Sequence, residues 1–486
     1  MPPSIAALLT VLFIFVLFRR DARKQGEVSG ALWLPVLWMA ITGSRFVSQW
    51  INLGNSGFSV DVQEGSPIDA IYLLTLITMG MGVLARRRTF IGEILRNNRW
   101  LAAFFIYGFL SIAWSDFPFI AFKRYIKVLG HPVMALIILT DPDPTNALRT
   151  VMKRCAYLMM PLSVLFIKYY PEYGKMYNSW TGEASITGVG LQKNNLGYLC
   201  MVFGIFFFWN LLITRRIEDR RVRREEFLLS VGFLCMIGWL WHMAQSATSL
   251  VTLGIGIVTM ILLGLRIVNK QFIGTYFIVI ITVVVLAQLS FDIYAKALNL
   301  LGRDPTLTDR TEIWADAVAL CPNPVIGTGF ESFWLGPRLQ KLWAMKKYWW
   351  QPNQSHNGYV ETYLNLGSLG VLLLVGLLIS TFRKINADLL RNFDFARLRL
   401  GFLFAITFYN YTEAAFLAVH FVWTVFHIIA IDYPRPVQSQ KNGAKHSSPQ
   451  PDRKKTGQRP ERRSGANQED HKTSKPKNGD ENKETK

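Results

Sequence analysis

Apolar residues in this chain gather in long, almost unbroken blocks. They form neither the narrow stripes of soluble amphipathic helices nor the alternation of barrel strands. The blocks run over 3–18, 31–51, 68–85, 100–115, 128–140, 151–168, 189–213, 227–244, 248–265, 272–290, 358–382, 400–417 and 418–432. Inside lipid only helices and closed barrels satisfy every backbone N–H and C=O. A crossing helix takes about 20 apolar residues, so the pattern predicts an all-α polytopic membrane protein of about twelve or thirteen transmembrane helices. The first block is short. The last two read either as separate spans or as one long bent helix. Met1–Phe18 has no basic leader region and no small-residue cleavage site, so it reads as a retained span.

The interruptions between blocks carry the organisation. Arg19, Arg20, Arg23 and Lys24 mark one basic loop, and Arg86, Arg87 and Arg88 a second. Arg215, Arg216, Arg220, Arg221, Arg223 and Arg224 mark a third, and Arg383, Lys384, Arg391, Arg397 and Arg399 a fourth. Alternating spans place all four on one side, which the positive-inside rule makes cytoplasmic. One opposite-side loop, from about Phe291 to Gln354, is far longer than ordinary connections, and loops of that size are usually functional. It is expected to hold short helices, one over Asp309–Leu320. The predicted organisation is therefore an N-terminal bundle over 1–290, a large outer loop over 291–357, C-terminal helices over 358–435, and a tail over 436–486. That tail is rich in Lys, Arg, Glu, Asn, Gly, Pro and Ser. It is expected to be disordered and cytoplasmic.

Composition removes other classes. The chain has 486 residues, is 51% hydrophobic and has a mean hydropathy of +0.22. Its net charge of +20 would suggest nucleic acid in a soluble protein. Here the basic residues sit in short loops and the tail, so no nucleic-acid partner is implied. Cys155, Cys200, Cys235 and Cys321 show no metal-type spacing and no disulfide framework.

Four stretches on the outer side carry candidate chemistry: Thr187–Gly197, Gly302–Trp314, Pro324–Trp334 and Asn353–Gly367. They bring Lys193, Arg303, Arg310 and His356 to one membrane face. Guanidinium groups pair bidentately with phosphate oxygens, so such a cluster suits a pyrophosphate. A neutral imidazole at His356 can take a proton from a hydroxyl. The bland alternatives are solvated loop arginines and an interfacial histidine. Gly327-Thr-Gly329 lacks the strand–helix unit and the Lys-Ser/Thr of a nucleotide loop. His131, His242, His420 and His427 lie at or in spans and read as packed or interfacial. No zinc pattern is present.

In this order and on this topology, the stretches resemble the O-antigen ligase and O-antigen polymerase superfamily, in particular its exopolysaccharide polymerase-like branch. The resemblance rests on Lys193-Asn194 with Gly197, Gly302-Arg-Asp with Arg310-Thr-x-Ile-Trp314, Ile326-Gly-Thr-Gly329 and Ser355-His-Asn-Gly358. Trp114-Ser-Asp-Phe-Pro118 followed by Lys123-Arg124 adds to it, and Ser44-Arg-Phe-Val-Ser-Gln-Trp50 matches more faintly. It spans nearly the whole chain except the tail.

The resemblance implies a metal-independent, cofactor-free glycosyltransferase. Such an enzyme takes a glycan from a polyprenyl-pyrophosphate carrier on the outer leaflet and passes it to a sugar hydroxyl. It also implies roles. His356 corresponds to the family's loop histidine, and Arg303 or Arg310 to its loop arginine. Lys193, Asn194 and Asn195, with Arg124 and Arg45, are candidates for substrate binding. The implied partners are membrane lipids, the lipid-linked donor, the glycan acceptor and other polysaccharide-assembly proteins. Polymerase action on a lipid-linked repeat, ligation onto a lipid or protein acceptor, and transport without catalysis remain the competing expectations.

Overall fold

The computed structural model describes residues 1–23, 28–53, 65–87, 89, 91–177, 184–276, 310–345, 348 and 351–433. The expected span at 272–290, Arg303 and the tail after 434 therefore lie almost or wholly outside the described residues. The principal helices are α1 (Pro3–Arg23), α2 (Trp33–Gly43), α3 (Pro67–Arg86), α4 (Arg99–Leu110), α5 (Pro118–Val128), α6 (Gly130–Leu139) and α7 (Pro144–Tyr169). They continue with α8 (Lys193–Thr214), α9 (Arg220–Ala244), α10 (Ala247–Gly264), α11 (Arg310–Ala319), α12 (Gly336–Trp343), α13 (Gly358–Asp388), α14 (Phe393–Thr412) and α15 (Phe421–Ala430). A small antiparallel hairpin pairs Lys175–Tyr177 with Ala184–Ile186, Met176 standing opposite Ser185.

Local sequence explains the helix starts. Pro67, Pro118 and Pro144 occupy the first turns of α3, α5 and α7, where a missing N–H costs nothing. Asp219 caps α9 by accepting the N–H groups of Arg221 and Val222. Gln245, at φ +48°, ends α9 in a left-handed turn that leads directly into α10.

Burial orders the bundle. The apolar stretches of α7 and α8 are 83% and 78% buried, whereas those of α3, α9 and α10 are 28–33% buried. The first two are thus the central posts, and the others present most of their apolar surface outward, as lipid-facing helices do. Six described helices are long and apolar enough to cross a membrane: α3, α7, α8, α9, α10 and α13. The chain is a multi-pass membrane protein. Several expected spans are instead short helices of 10–17 residues, among them Gly30–Gly43, Arg99–Trp114 and Phe421–Ala430. The block at 31–51 breaks after Gly43, where Ser44 and Arg45 lead into a separate helical turn at Val47–Ile51. The last two blocks are separate helices, because α14 ends at Thr412 and α15 begins at Phe421.

The described part of the large loop, from Arg310 onward, folds into short helices, as expected. Ile313, Phe333, Trp334, Leu339, Leu342 and Tyr348 form a satellite core that closes on Leu364 of α13. The loop reaches α13 where that helix is interrupted, at Gly367 (φ +65°, ψ −169°). A kink leaves backbone groups unpaired, and membrane interiors do not tolerate that. The Gly-Thr-Gly segment supplies the partners: Thr328 N donates to Leu364 O at 3.1 Å and Gly329 N to Asn365 O at 2.9 Å. In return Ser368 N and Leu369 N donate to Pro324 O and Val325 O. This segment is a backbone clasp, consistent with its failure to read as a nucleotide loop.

A Cβ at Gly367 would meet Val325 O at 2.1 Å. Gly367→Ala should lower the melting temperature of the detergent-solubilised protein, costing at least ~1–2 kcal/mol for the left-handed backbone alone. An unchanged melting curve would show that the clasp does not fix the kink.

Candidate active site

The gap between α14 and α15 carries a buried carboxylate. Asn410 shapes it, its Oδ1 accepting the N–H groups of Ala415 (2.9 Å) and Phe416 (3.1 Å) while its Nδ2 donates to Ile406 O. The chain therefore turns sharply after Thr412. Glu413 O accepts Gly358 N at 3.1 Å, which ties this turn to the start of α13. Gly358 must lack a side chain, because a Cβ there would lie 2.3 Å from Asn410 Oδ1.

The Glu413 carboxylate collects three residues from distant parts of the chain. Asn194 Nδ2, in the first turn of α8, donates to Oε1 at 2.7 Å. Arg310 Nη2, at the start of α11, donates to the same oxygen at 3.0 Å, and its Nη1 donates to Thr412 O. His356 Nδ1 lies 3.5 Å from Oε2. With Nδ1–H turned to the carboxylate, Nε2 carries the ring's lone pair. That is the tautomer a general base needs.

His356 is held from both sides. Its backbone is left-handed at φ +53°. Ser355 N donates to Glu361 Oε1 at 2.5 Å, and Trp314 Nε1 donates to Ser355 O at 2.7 Å. Asn357 caps α13 by accepting Tyr359 N and Val360 N. Trp334 Nε1 donates to both oxygens of Glu361, at 2.9 and 2.8 Å. The clamp matters because a strained backbone persists only where its neighbours over-determine it.

Beside this cluster lies a cavity of about 330 Å³. Arg124, Gln192, Glu331, Trp334, Asn353 and Glu361 line it, together with Gln354, two residues before His356, and with Ala414, Phe416, Leu417 and Ala418, which follow Glu413. Arg124 Nη1 donates to Glu331 O at 2.6 Å. The Trp114-Ser-Asp motif braces the same wall. Trp114 Nε1 donates to Ile326 O, the Ser115 and Ser332 hydroxyls share a 2.6 Å hydrogen bond, and Asp116 accepts Arg338 Nη2 at 2.6 Å. Burial pushes the Glu331 carboxyl up to about 7. The Arg124 guanidinium pulls the other way, and the neighbouring Glu361 adds to the rise.

Of the residues singled out in the sequence, His356, Arg310 and Asn194 meet at Glu413, and Arg124 lines the cavity. Lys193 is exposed at the start of α8, one residue from cavity-lining Gln192. Asn195 lies in the first turn of the same helix, its N–H donating to Gln192 O at 2.9 Å. Arg45 is buried and donates from Nη2 to Tyr173 O (2.5 Å) and Gly190 O (3.1 Å), so it holds the loop that precedes α8. Arg303 falls outside the described residues. Sequence reasoning passed over Glu413, Glu361 and Glu331 as individuals. For Glu413 a signal existed, since an ionisable residue inside an apolar block is by default a functional candidate.

A family model described as O-Antigen ligase matches residues 231–375. The chain is also 25% identical, over 297 residues, to the exopolysaccharide production protein ExoQ of Rhizobium meliloti (strain 1021). That alignment covers 58% of this chain and 64% of the relative, so the chain spans somewhat under two thirds of ExoQ's length. The resemblance to the O-antigen ligases and to ExoQ holds. The family match includes Arg303, Arg310 and His356, whereas Asn194, Arg124, Arg45 and Glu413 lie outside it. Among the described residues no group of three or more His, Cys, Asp or Glu side chains is placed to hold a metal ion.

Glu331 gives a pH signature. Its folded-state value lies above its unfolded one, so the folded protein keeps a proton that the unfolded chain sheds. Stability linked to this group is present below about 4.5 and lost as pH rises through about 7. Glu331→Gln should flatten that part of the melting-temperature profile between pH 5 and 8. A profile parallel to wild type would assign the slope to another group.

Proposed function

We propose that this protein is a membrane glycosyltransferase that extends a glycan carried on a polyprenyl pyrophosphate, with His356 as general base. The observation that supports the reading is the convergence of Asn194, Arg310 and His356 on Glu413, beside a cavity lined by amides, carboxyls and Trp334. An acceptor sugar hydroxyl placed against His356 Nε2 loses its proton to the imidazole as its oxygen attacks the anomeric carbon of the donor. The bond from that carbon to the pyrophosphate oxygen breaks, and the carrier pyrophosphate leaves with the electron pair. Glu413 orients the ring and stabilises the imidazolium that forms, as a carboxylate does behind a catalytic histidine. Pyrophosphate is already a good leaving group, and cationic side chains stabilise the charge that develops on it.

The two arginine roles then divide. Arg310 is engaged with Glu413 and Thr412 O, so it positions the base. Arg124 lines the cavity and Lys193 is exposed next to cavity-lining Gln192, and they, with Arg303, are the candidates for the pyrophosphate. Amide and carboxyl groups around an aromatic face suit a sugar ring, which the cavity would take as acceptor. The reaction as proposed draws on no cofactor or metal. The site faces the outer leaflet of the inner (plasma) membrane, and the basic loops and tail face the cytoplasm. The name of the ExoQ relative favours polymer assembly. The family description favours ligation onto a lipid or protein acceptor as the second reading.

Purified protein in nanodiscs, given lipid-pyrophosphate-linked repeats alone, should build longer chains without nucleotide. His356→Ala should insert normally yet lose ~10²–10⁴-fold in rate, the usual share of a general base. Glu413→Gln should lower kcat more than KM and shift the acid limb of the pH–rate profile. Wild-type chain growth in the His356 variant would sink the assignment. Extension only when a lipid A-type acceptor is added would move the reading to a ligase.

A further inference from the structure

The end of the bundle opposite the His356 site holds a second, unassigned feature. Helices α1 and α9 both pack on α7, and a groove of about 800 Å³ runs between them. Its walls are apolar: Phe13 and Leu17 from α1, Leu229, Phe233 and Met236 from α9. Phe18 of α1 and Phe233 of α9 both pack on Tyr157 of α7, edge-on at 5.8 Å and tilted at 5.6 Å. Gly232 faces the groove, and a Cβ there would meet nothing within 4 Å. Leu228, at the same edge, is 57% exposed and Val16 is 53% exposed.

The mouth of this groove is cationic. Arg19, Arg20, Arg23 and Arg221 line it, with Glu225 as the one carboxylate among the lining residues. Arg20 lies 3.6 Å from Glu225 and 3.1 Å from Glu226. Glu226 is already shared with Lys153 at 2.6 Å and Arg149 at 3.6 Å, so one carboxylate serves three cations. Arg221 lies 3.5 Å from Glu225 and its side chain is 90% exposed. Positive charge therefore exceeds negative charge where the apolar groove opens. Gly232 lies eleven residues along α9 from Arg221, roughly 16 Å at ~1.5 Å per residue.

We propose that this groove binds an anionic glycerophospholipid, its phosphate at Arg19, Arg23 and Arg221 and one acyl chain along α9 past Gly232. The reasoning is charge complementarity at one end and apolar lining along the rest. That combination fits an amphiphile with a fixed negative head. A soluble anion would leave the apolar walls wet, and a neutral lipid would leave the excess positive charge at the mouth unmatched. Basic residues at a membrane surface each contribute about fivefold to anionic-lipid binding. The proposal is independent of the transferase reading, since it concerns the other end of the molecule and needs no turnover.

Native mass spectrometry of protein released from nanodiscs of equal phosphatidylglycerol and phosphatidylcholine tests it. Wild type should retain phosphatidylglycerol in preference. The Arg19→Gln/Arg23→Gln/Arg221→Gln variant should lose that preference by roughly a hundredfold, three basic residues at about fivefold each. Gly232→Leu puts a side chain into open groove, in a helix that tolerates leucine better than glycine. It should lose the retained lipid of either kind while keeping wild-type melting behaviour. Equal retention by wild type and Gly232→Leu overturns the site. So does a lipid-free dimer that Gly232→Leu dissociates, which would make the groove an interface between two copies.

Discussion

A carboxylate buried at the end of a membrane helix cannot stand alone. Removing a charged group from water costs several kcal/mol unless partners replace the lost hydration. Glu413 receives those partners from α8, α11 and the segment that enters α13. Its demand for hydrogen bonds thus brings together chain segments more than two hundred residues apart. The large loop docks where it does because Arg310 and His356 are part of that satisfaction.

The second constraint is on the backbone. Two helices are interrupted here: α13 at Gly367 and the α14–α15 pair between Thr412 and Phe421. Irregular backbone at membrane depth survives only where protein groups replace the missing ladder. At Gly367 the Gly-Thr-Gly clasp does so. After Thr412 the Asn410 side chain does so, and at the break it permits Glu413 meets Asn194, Arg310 and His356. One motif of the apparent signature is therefore structural, and another holds the groups proposed to carry the chemistry.

This division explains what could be read from the chain. The apolar blocks were legible because lipid demands long sealed helices, and α7, α8 and α13 lie where the blocks put them. The breaks within blocks were not. Averaging hydropathy over 400–417 hides a single carboxyl and treats Asn410 and Glu413 as noise in a span. His356 and Asn194 were legible because each is polar and stands near the start of an apolar run, and Arg310 because it belongs to the Gly302–Trp314 stretch of the large loop. That Arg310 serves a carboxylate, and that Arg45 holds a loop through two carbonyls, depends on partners far away in sequence. No spacing rule encodes those.

The two ends of the bundle use the same device to different effect. Glu226 is paired with Arg20, Arg149 and Lys153, so it ties α1, α7 and α9 together. Glu413 is paired with one arginine, one amide and an imidazole. Only the second set contains a group whose ordinary pKa allows it to gain and lose a proton near neutrality. A carboxylate held among arginine and lysine side chains fastens helices, whereas taking a proton from a hydroxyl needs a base such as an imidazole. A carboxylate behind a histidine can do both, because its charge stabilises the imidazolium during the step in which a hydroxyl is activated. For this reason we propose the chemistry at the Glu413 end, and the more heavily charged end as scaffold and lipid contact.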